Sequence, residues 1–188
     1  INGCGIPTAR FHAVDSQEEL EQALADLSGQ GVLKTRRLGY DGKGQKVFRS
    51  AEDSADGAFA ALGGVPLILE SFVAFEREVS IIAARSIDGT VVCFDPAENV
   101  HRNGILHTST VPASISAATA DAARDAAEKI LSALNYVGVV GIEFFVLADG
   151  GLIANEMAPR VHNSERWTEA ACVVSQFEQH IRAIAGLP

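Results

Sequence analysis

Residues 141–157, GIEFFVLADGGLIANEM, read as two apolar strands joined by a tight turn. An Asp-Gly pair between apolar runs is a strong short-range hairpin signal. With Asp149 and Gly150 as the two turn residues, Ala148 faces Gly151, Leu147 faces Leu152, and Glu143 faces Glu156. Opposed side chains stand about 4.5–5.5 Å apart at Cβ, and like charges placed so destabilise a sheet. A divalent cation offsets that repulsion, since Mg²⁺ is typically held by one or two carboxylates while substrate phosphates complete its shell. A three-residue loop, Asp149-Gly150-Gly151, moves the register by one and then needs a bulge to bring the two glutamates together. The plain alternative is a two-layer sheet whose outer face carries both carboxylates into water. Glu143 shares its strand face with Phe145 and Leu147, and Asn155 adds an oxygen beside Glu156. On these residues alone, metal and solvent both stay open.

The other elements follow from periodicity and caps. Ser16-Gln17-Glu18-Glu19 is a capping box ahead of Leu20, Leu24 and Leu27, and Gly29 ends that helix. VLKTRR and KVFRS read as strands, residues 51–62 as a helix, and VPLILE as a short buried strand ending in Glu70. EVSIIAARS and VVCFDPAEN form a hairpin across Asp88-Gly89-Thr90, and residues 101–116 read as a long polar loop with a short strand. An Ala-rich helix covers 117–134, and a last helix covers 168–185 with Gly186 as its cap. The order implies an α+β chain in two lobes, with the seam near residues 70–76.

GYDGKGQ, residues 39–45, lies between the strands VLKTRR and KVFRS. Gly39, Gly42 and Gly44 allow close backbone approach, and successive free N–H groups in such a loop form an anion nest. Lys34, Arg36, Arg37 and Lys43 add positive charge. No helix follows directly, so neither a Walker loop nor a dinucleotide fingerprint fits. A glycine-rich hairpin lying over phosphates is one reading. A plain hairpin with solvated lysines is the other. Arg160, His162, Asn163 and Ser164 follow the strand carrying Glu156, and Arg160 is suited to hold an anion bidentately. His101, Arg102, Asn103 and His107 lie in the polar loop, and packing or solvation is the default for His180.

The formal net charge of −9 argues against a nucleic-acid binder. No apolar run is long enough for a membrane span, and the first residues do not form a signal peptide. Cys4, Cys93 and Cys172 are odd in number and far apart, which fits buried free thiols in a reducing cytoplasm. The absent initiator Met and the ending at GLP are expected of a piece of a longer protein.

Taken in order, Lys34, the glycine loop, Glu70, Glu78, Glu143 and Asn155-Glu156 resemble an ATP-grasp domain. LKTRRLGYDGKGQ, ENVHRNGILHTSTVPA, VGVVGIEFF, NEMAPRVHNS and SQFEQHIRAIAGLP resemble, more narrowly, the carboxyaminoimidazole ribonucleotide synthetase family. That resemblance implies an ATP-grasp fold: two lobes, each a mainly antiparallel sheet packed by helices, with the nucleotide between them. The small lobe with its lid loop would be residues 1–73, and the large lobe with its metal hairpin 74–188. The family's N-terminal and C-terminal domains would lie outside this chain.

The implied activity is that of a cytoplasmic, homodimeric ATP-dependent ligase in purine biosynthesis. It would carboxylate aminoimidazole ribonucleotide with bicarbonate through carboxyphosphate. The cofactors implied are ATP and Mg²⁺, and the isolated piece is expected to be inactive. Nucleotide contacts carried over by position are Lys34, Gly39, Tyr40, Asp41, Gly42, Lys43, Gly44, Gln45, Glu70, Val73, Glu78, His101 and Asn155, with Glu143 and Glu156 on the metal. Asp41, Lys43 and Arg160 take the catalytic positions, and His162, Asn163 and Ser164 the substrate positions. After Asn-Ser the family usually has Gly-His-Trp-Thr, whereas this chain has Glu165-Arg166-Trp167-Thr168. Leu38 likewise replaces a usual glycine. The departure at Glu165-Arg166 keeps one alternative in play, a carboxylate–amine ligase with another acceptor; the last helix and the hairpin, as part of a dimer surface, suggest a second, a nucleotide-binding or assembly domain without turnover.

Overall fold

A computed structural model describes residues 1–37, 44–102 and 104–188. The chain divides into two compact units: residues 9–73 with 103–105, and residues 1–8, 74–102 and 106–188.

The first unit is built on a four-stranded antiparallel sheet in the order β1-β4-β2-β3. Its strands are β1 (Phe11–Val14), β2 (Gly31–Thr35), β3 (Gln45–Phe48) and β4 (Leu67–Glu70). Val14, Leu33, Phe48, Leu67 and Leu69 pack one face against Leu20, Ala23 and Leu24 of helix α1 (Gln17–Asp26). The capping box forms with one change of partner. Ser16 accepts from Glu19 N, but the Glu19 carboxylate takes the N–H of Asp15. The helix expected over 51–62 shrinks to one turn, α2 (Ala58–Ala61). Asp53 binds the backbone N–H groups of Arg49 and Ser50, and Gly57 sits at φ 65°, so the segment before α2 is turn rather than helix.

The larger unit contains a six-stranded antiparallel sheet in the order β10-β9-β5-β7-β8, with β6 also on β5. The strands are β5 (Arg77–Arg85), β6 (Val91–Cys93), β7 (Ala97–Arg102), β8 (Ile105–Thr110), β9 (Gly138–Val146) and β10 (Leu152–Ala158). Residues 101–102 and 105–110 are strand, more than the one short strand within a loop expected there. Alternation sorts the central strands β5 and β9 into two faces. Val79, Ile81, Ala83, Val140, Ile142 and Phe144 pack under helix α3 (Ala117–Ala133). Ile82, Ala84 and Val139 pack against Ala183 of helix α5 (Gln176–Ala185). The last helix is broken: α4 (Thr168–Ala171) stops at Cys172, whose backbone is extended, and Ser175 caps α5 afresh. At the edge of β10 the N-terminal segment adds a bridge from Thr8 to Ala154.

This sheet is covered on both faces, so the two-layer picture with both glutamates in water is corrected: Glu143 is 7% exposed. On the α5 side the face changes character along its length. Ala84, Ile82 and Val139 are apolar, while Ser80, Glu78 and Glu143 beyond them are polar.

Candidate active site

The β9–β10 hairpin brings its glutamates together by a route of two compensating steps. The turn is Ala148-Asp149-Gly150, three residues, with Leu147 opposite Gly151 and Gly150 at φ 83°. Asp149 Oδ1 accepts from Gly151 N at 2.9 Å and fixes the turn. Leu152 accordingly faces Val146, one position away from the register of a two-residue Asp149-Gly150 turn. Between Ala154 and Glu156 the register shifts, Asn155 being the extra residue, and Glu156 then stands opposite Glu143. The bulge restores what the turn displaces.

His162 completes the group. One donor atom each from Glu143, Glu156 and His162 lies within 4.8 Å of the other two. His162 Nε2 is 3.7 Å from Glu143 Oε1 and 4.0 Å from Glu156 Oε1. Burial pushes the His162 imidazole below its ordinary value; Glu156 pulls it up, and Arg160 and His101 push it further down. A second group, Glu78, His101 and Glu143, meets the same distance limit, so Glu143 is common to both. Glu78 Oε2 lies 2.8 Å from His101 Nδ1. Oxygen donors from two facing carboxylates, one buried and one exposed, fit a hard divalent cation such as Mg²⁺.

The remaining expected residues are placed as follows. In the smaller unit, Lys34 Nζ meets Glu70 Oε2 at 2.6 Å, both side chains partly exposed. Val73 is partly buried. Gly44 closes the β2–β3 hairpin by accepting from Thr35 N, and Gln45 pairs with Lys34. Gly39, Tyr40, Asp41, Gly42 and Lys43 lie outside the described residues. In the larger unit Arg160 and Asn163 are exposed. Ser164 is 1% exposed and bonded to Ser80 and His162, so it is placed to orient the imidazole rather than to reach a ligand.

Glu165, the residue that departs from the expected pattern, is fully buried. Neither of its carboxyl oxygens has a hydrogen-bond partner. Burial raises its pKa from 4.5 to about 8; the Trp167 indole partly opposes the rise and Asp95 adds to it. Only Arg166 of that pair is exposed. Ser80, Gly141 and Gln176 were not anticipated as site residues. A polar Glu78-x-Ser80 alternation inside an otherwise apolar strand is the signal that could have marked Ser80.

The ATP-grasp domain family matches residues 1–177 of this chain.

The chain belongs to the ATP-grasp family.

Within that family it is 65% identical, over 189 residues, to an N5-carboxyaminoimidazole ribonucleotide synthase of Brucella melitensis, covering all of this chain and 52% of the relative. A Pseudomonas aeruginosa enzyme of the same name is 52% identical, covering 98% of this chain and 50% of its own length. The ATP-grasp fold is equally clear in solved structures. An ADP complex of N5-carboxyaminoimidazole ribonucleotide synthetase superposes with a TM-score of 0.93 at 46% identity, covering 100% of this chain and 49% of that one. An Aspergillus clavatus synthase in complex with ADP and 5-aminoimidazole ribonucleotide gives 0.89 at 30% identity, again with 100% and 49% coverage. This ATP-grasp chain spans about half the length of the curated relatives it matches.

Proposed function

We propose that this chain is the ATP-grasp portion of an N5-carboxyaminoimidazole ribonucleotide synthetase. The observation that carries this is the Glu143–Glu156 pair set opposite across a bulge, in a chain 65% identical to a protein of that name. In the intact enzyme a bicarbonate oxygen attacks the γ-phosphorus of ATP. The bond to the β-phosphate bridging oxygen breaks, ADP leaves and carboxyphosphate forms. The amine of aminoimidazole ribonucleotide then takes the carboxyl unit, the carbon–oxygen bond to phosphate breaks, inorganic phosphate leaves and the nitrogen loses a proton. Bound between Glu143 and Glu156, Mg²⁺ would supply charge neutralisation for the phosphates. Lys34, held beside Glu70, supplies a cation for the α- and β-phosphates. Glu78, with His101 against it, offers acceptors for ribose hydroxyls. By the family resemblance, Asp41, Lys43 and Arg160 are the residues that would act on the transferring groups. The chemistry is positioning and electrostatic stabilisation, with no covalent enzyme intermediate.

The same reading assigns residues 1–73 to the small lobe and 74–188 to the large one, except that residues 1–8 pack with the larger unit, and places the intact protein in the cytoplasm. No helix among the described residues is long and apolar enough to cross a membrane. It also makes the intact enzyme a homodimer. The exposed stripe Phe177, Ile181 and Ile184 on α5 offers an apolar face of the kind that association covers. Sedimentation showing only monomer at micromolar concentration would contradict the homodimer.

The test of the whole reading is phosphate release by the intact protein. Aminoimidazole ribonucleotide with bicarbonate is expected to stimulate ATP hydrolysis by at least about tenfold, because the acceptor completes the site. No stimulation, or stimulation by a different amine, contradicts it. The second outcome is what the alternative ligase predicts. That alternative rested on Glu165-Arg166, and the burial of Glu165 removes half of its support.

A further inference from the structure

We infer that Gln176, Ser80, Ser164 and Gly141 are positioning residues that hold the His162 ring with an Nε2–H, not a bare nitrogen, facing Glu143 and Glu156. Gln176 is 1% exposed and grips both main-chain groups of His162. The His162 N–H donates to Gln176 Oε1 at 2.8 Å, and Gln176 Nε2 donates to the His162 carbonyl at 2.8 Å. Gln176 is itself held, its own N–H donating to Thr168 Oγ1 at 3.1 Å. Gly141 leaves the space the ring needs: a methyl group there would lie 2.8 Å from His162 Cβ and 3.0 Å from Cγ. Backbone and ring are therefore both seated.

The ring nitrogens are told apart by what faces Nδ1. Ser80, in register with Glu143 across β5 and β9, donates its hydroxyl to Ser164 Oγ at 2.8 Å. Ser164 Oγ keeps its own proton for His162 Nδ1, 2.9 Å away. The backbone N–H of Ser164 also points at Nδ1, at 3.4 Å. A backbone N–H can only donate, so Nδ1 is the acceptor and the ring proton sits on Nε2. Nε2 is the atom that lies 3.7 Å and 4.0 Å from the two glutamates.

The chemical consequence is a division of labour. The two carboxylates would supply oxygen ligands to a cation. The imidazole supplies a fixed N–H donor to an oxygen of whatever those carboxylates hold, and it is not a third metal ligand. Taken with the proposed synthetase function, on which this last identification rests, that oxygen belongs to the transferring phosphoryl or carboxyl unit, where a preoriented donor stabilises developing charge.

Nitrogen NMR of the protein labelled in its five histidines tests this, with His162→Gln assigning the signal. The expected result is an acceptor-type shift at Nδ1 and a donor-type shift at Nε2, before any ligand is added. Ser164→Ala removes the hydroxyl but keeps the main-chain N–H on Nδ1, so it is expected to raise the minor Nδ1–H population without inverting the preference, and Ser164→Thr to restore the wild-type ratio. Added Mn²⁺ is expected to show no direct coupling to an imidazole nitrogen. An Nδ1–H tautomer in the wild type, a tautomer ratio in Ser164→Ala identical to wild type, or direct Mn–N coupling would each overturn the inference. The tautomer measurement needs neither nucleotide nor acceptor, so it stands or falls apart from the synthetase reading.

Discussion

Replacing either facing glutamate by glutamine is expected to lower metal-dependent ATP turnover of the intact enzyme by on the order of 100-fold or more, the scale set by losing a ligand to the charge-neutralising cation. Glutamine keeps the shape and removes the charge, so the hairpin should fold unchanged. The two variants should differ in rescue. Glu156 is exposed and belongs to one group of donors, whereas Glu143 is buried and shared by two. High Mg²⁺ should therefore recover part of the Glu156→Gln loss and little of the Glu143→Gln loss. Without metal, Glu156→Gln should be as stable as wild type or slightly more so, because it removes a like-charge pair across the strands. Turnover of both variants within tenfold of wild type would contradict the assignment.

The second large effect is on stability and arises at Glu165. Below pH 4.5 its carboxyl is neutral in the folded and the unfolded chain. Above that, the unfolded chain releases the proton while the folded one keeps it up to about pH 8. The folded state binds more protons over this window, so stability falls as pH rises, by about 1.4 kcal/mol per pH unit while the difference lasts. The total is on the order of 5 kcal/mol between those limits. Glu165→Gln removes the titration. Its melting temperature should gain on wild type from pH 5 to pH 8, by about 2–4 °C for each kcal/mol recovered in a chain of this size. The unpartnered amide lowers the variant's stability by about 1–3 kcal/mol equally at every pH and leaves the pH-dependent gain unchanged. Parallel melting curves of the two proteins across this range would refute the buried-acid account.

Much of the architecture was legible from local signals, and the particular misses have physical causes. The capping box at Ser16 and the apolar runs of β5 and β9 are short-range features, and each element they mark exists. The facing of Glu143 and Glu156 was reached for an incomplete reason. Asp-Gly signalled a two-residue turn, the chain uses three residues, and Asn155 bulges to restore the pairing. Nothing local marks a bulge at Asn155; it shows only when both strands are laid together. The long helices over 51–62 and 168–185 failed where side chains compete with the backbone: Asp53 caps a turn, and Ser175 starts a new helix after an extended Cys172. Gln176, Ser80 and Glu165 were invisible as site or core residues because their partners are distant in sequence. Ser80 and Ser164 are 84 residues apart, and burial of a glutamate is a property of the fold around it. Of the glycine loop, residues 39–43 lie outside the described residues.

A cation seated between Glu143 and Glu156 is the central requirement of the site. Crystals of the protein grown with ATP and Mn²⁺ would locate it by anomalous scattering. The prediction is a peak bridging Glu143 and Glu156, with carboxylate oxygens at about 2.1 Å, the distance expected for a small hard cation. His162 Nε2 should stay beyond bonding distance. A peak held by Glu78 and His101 instead, or none at the hairpin, would contradict the claim that the two facing glutamates are the metal site.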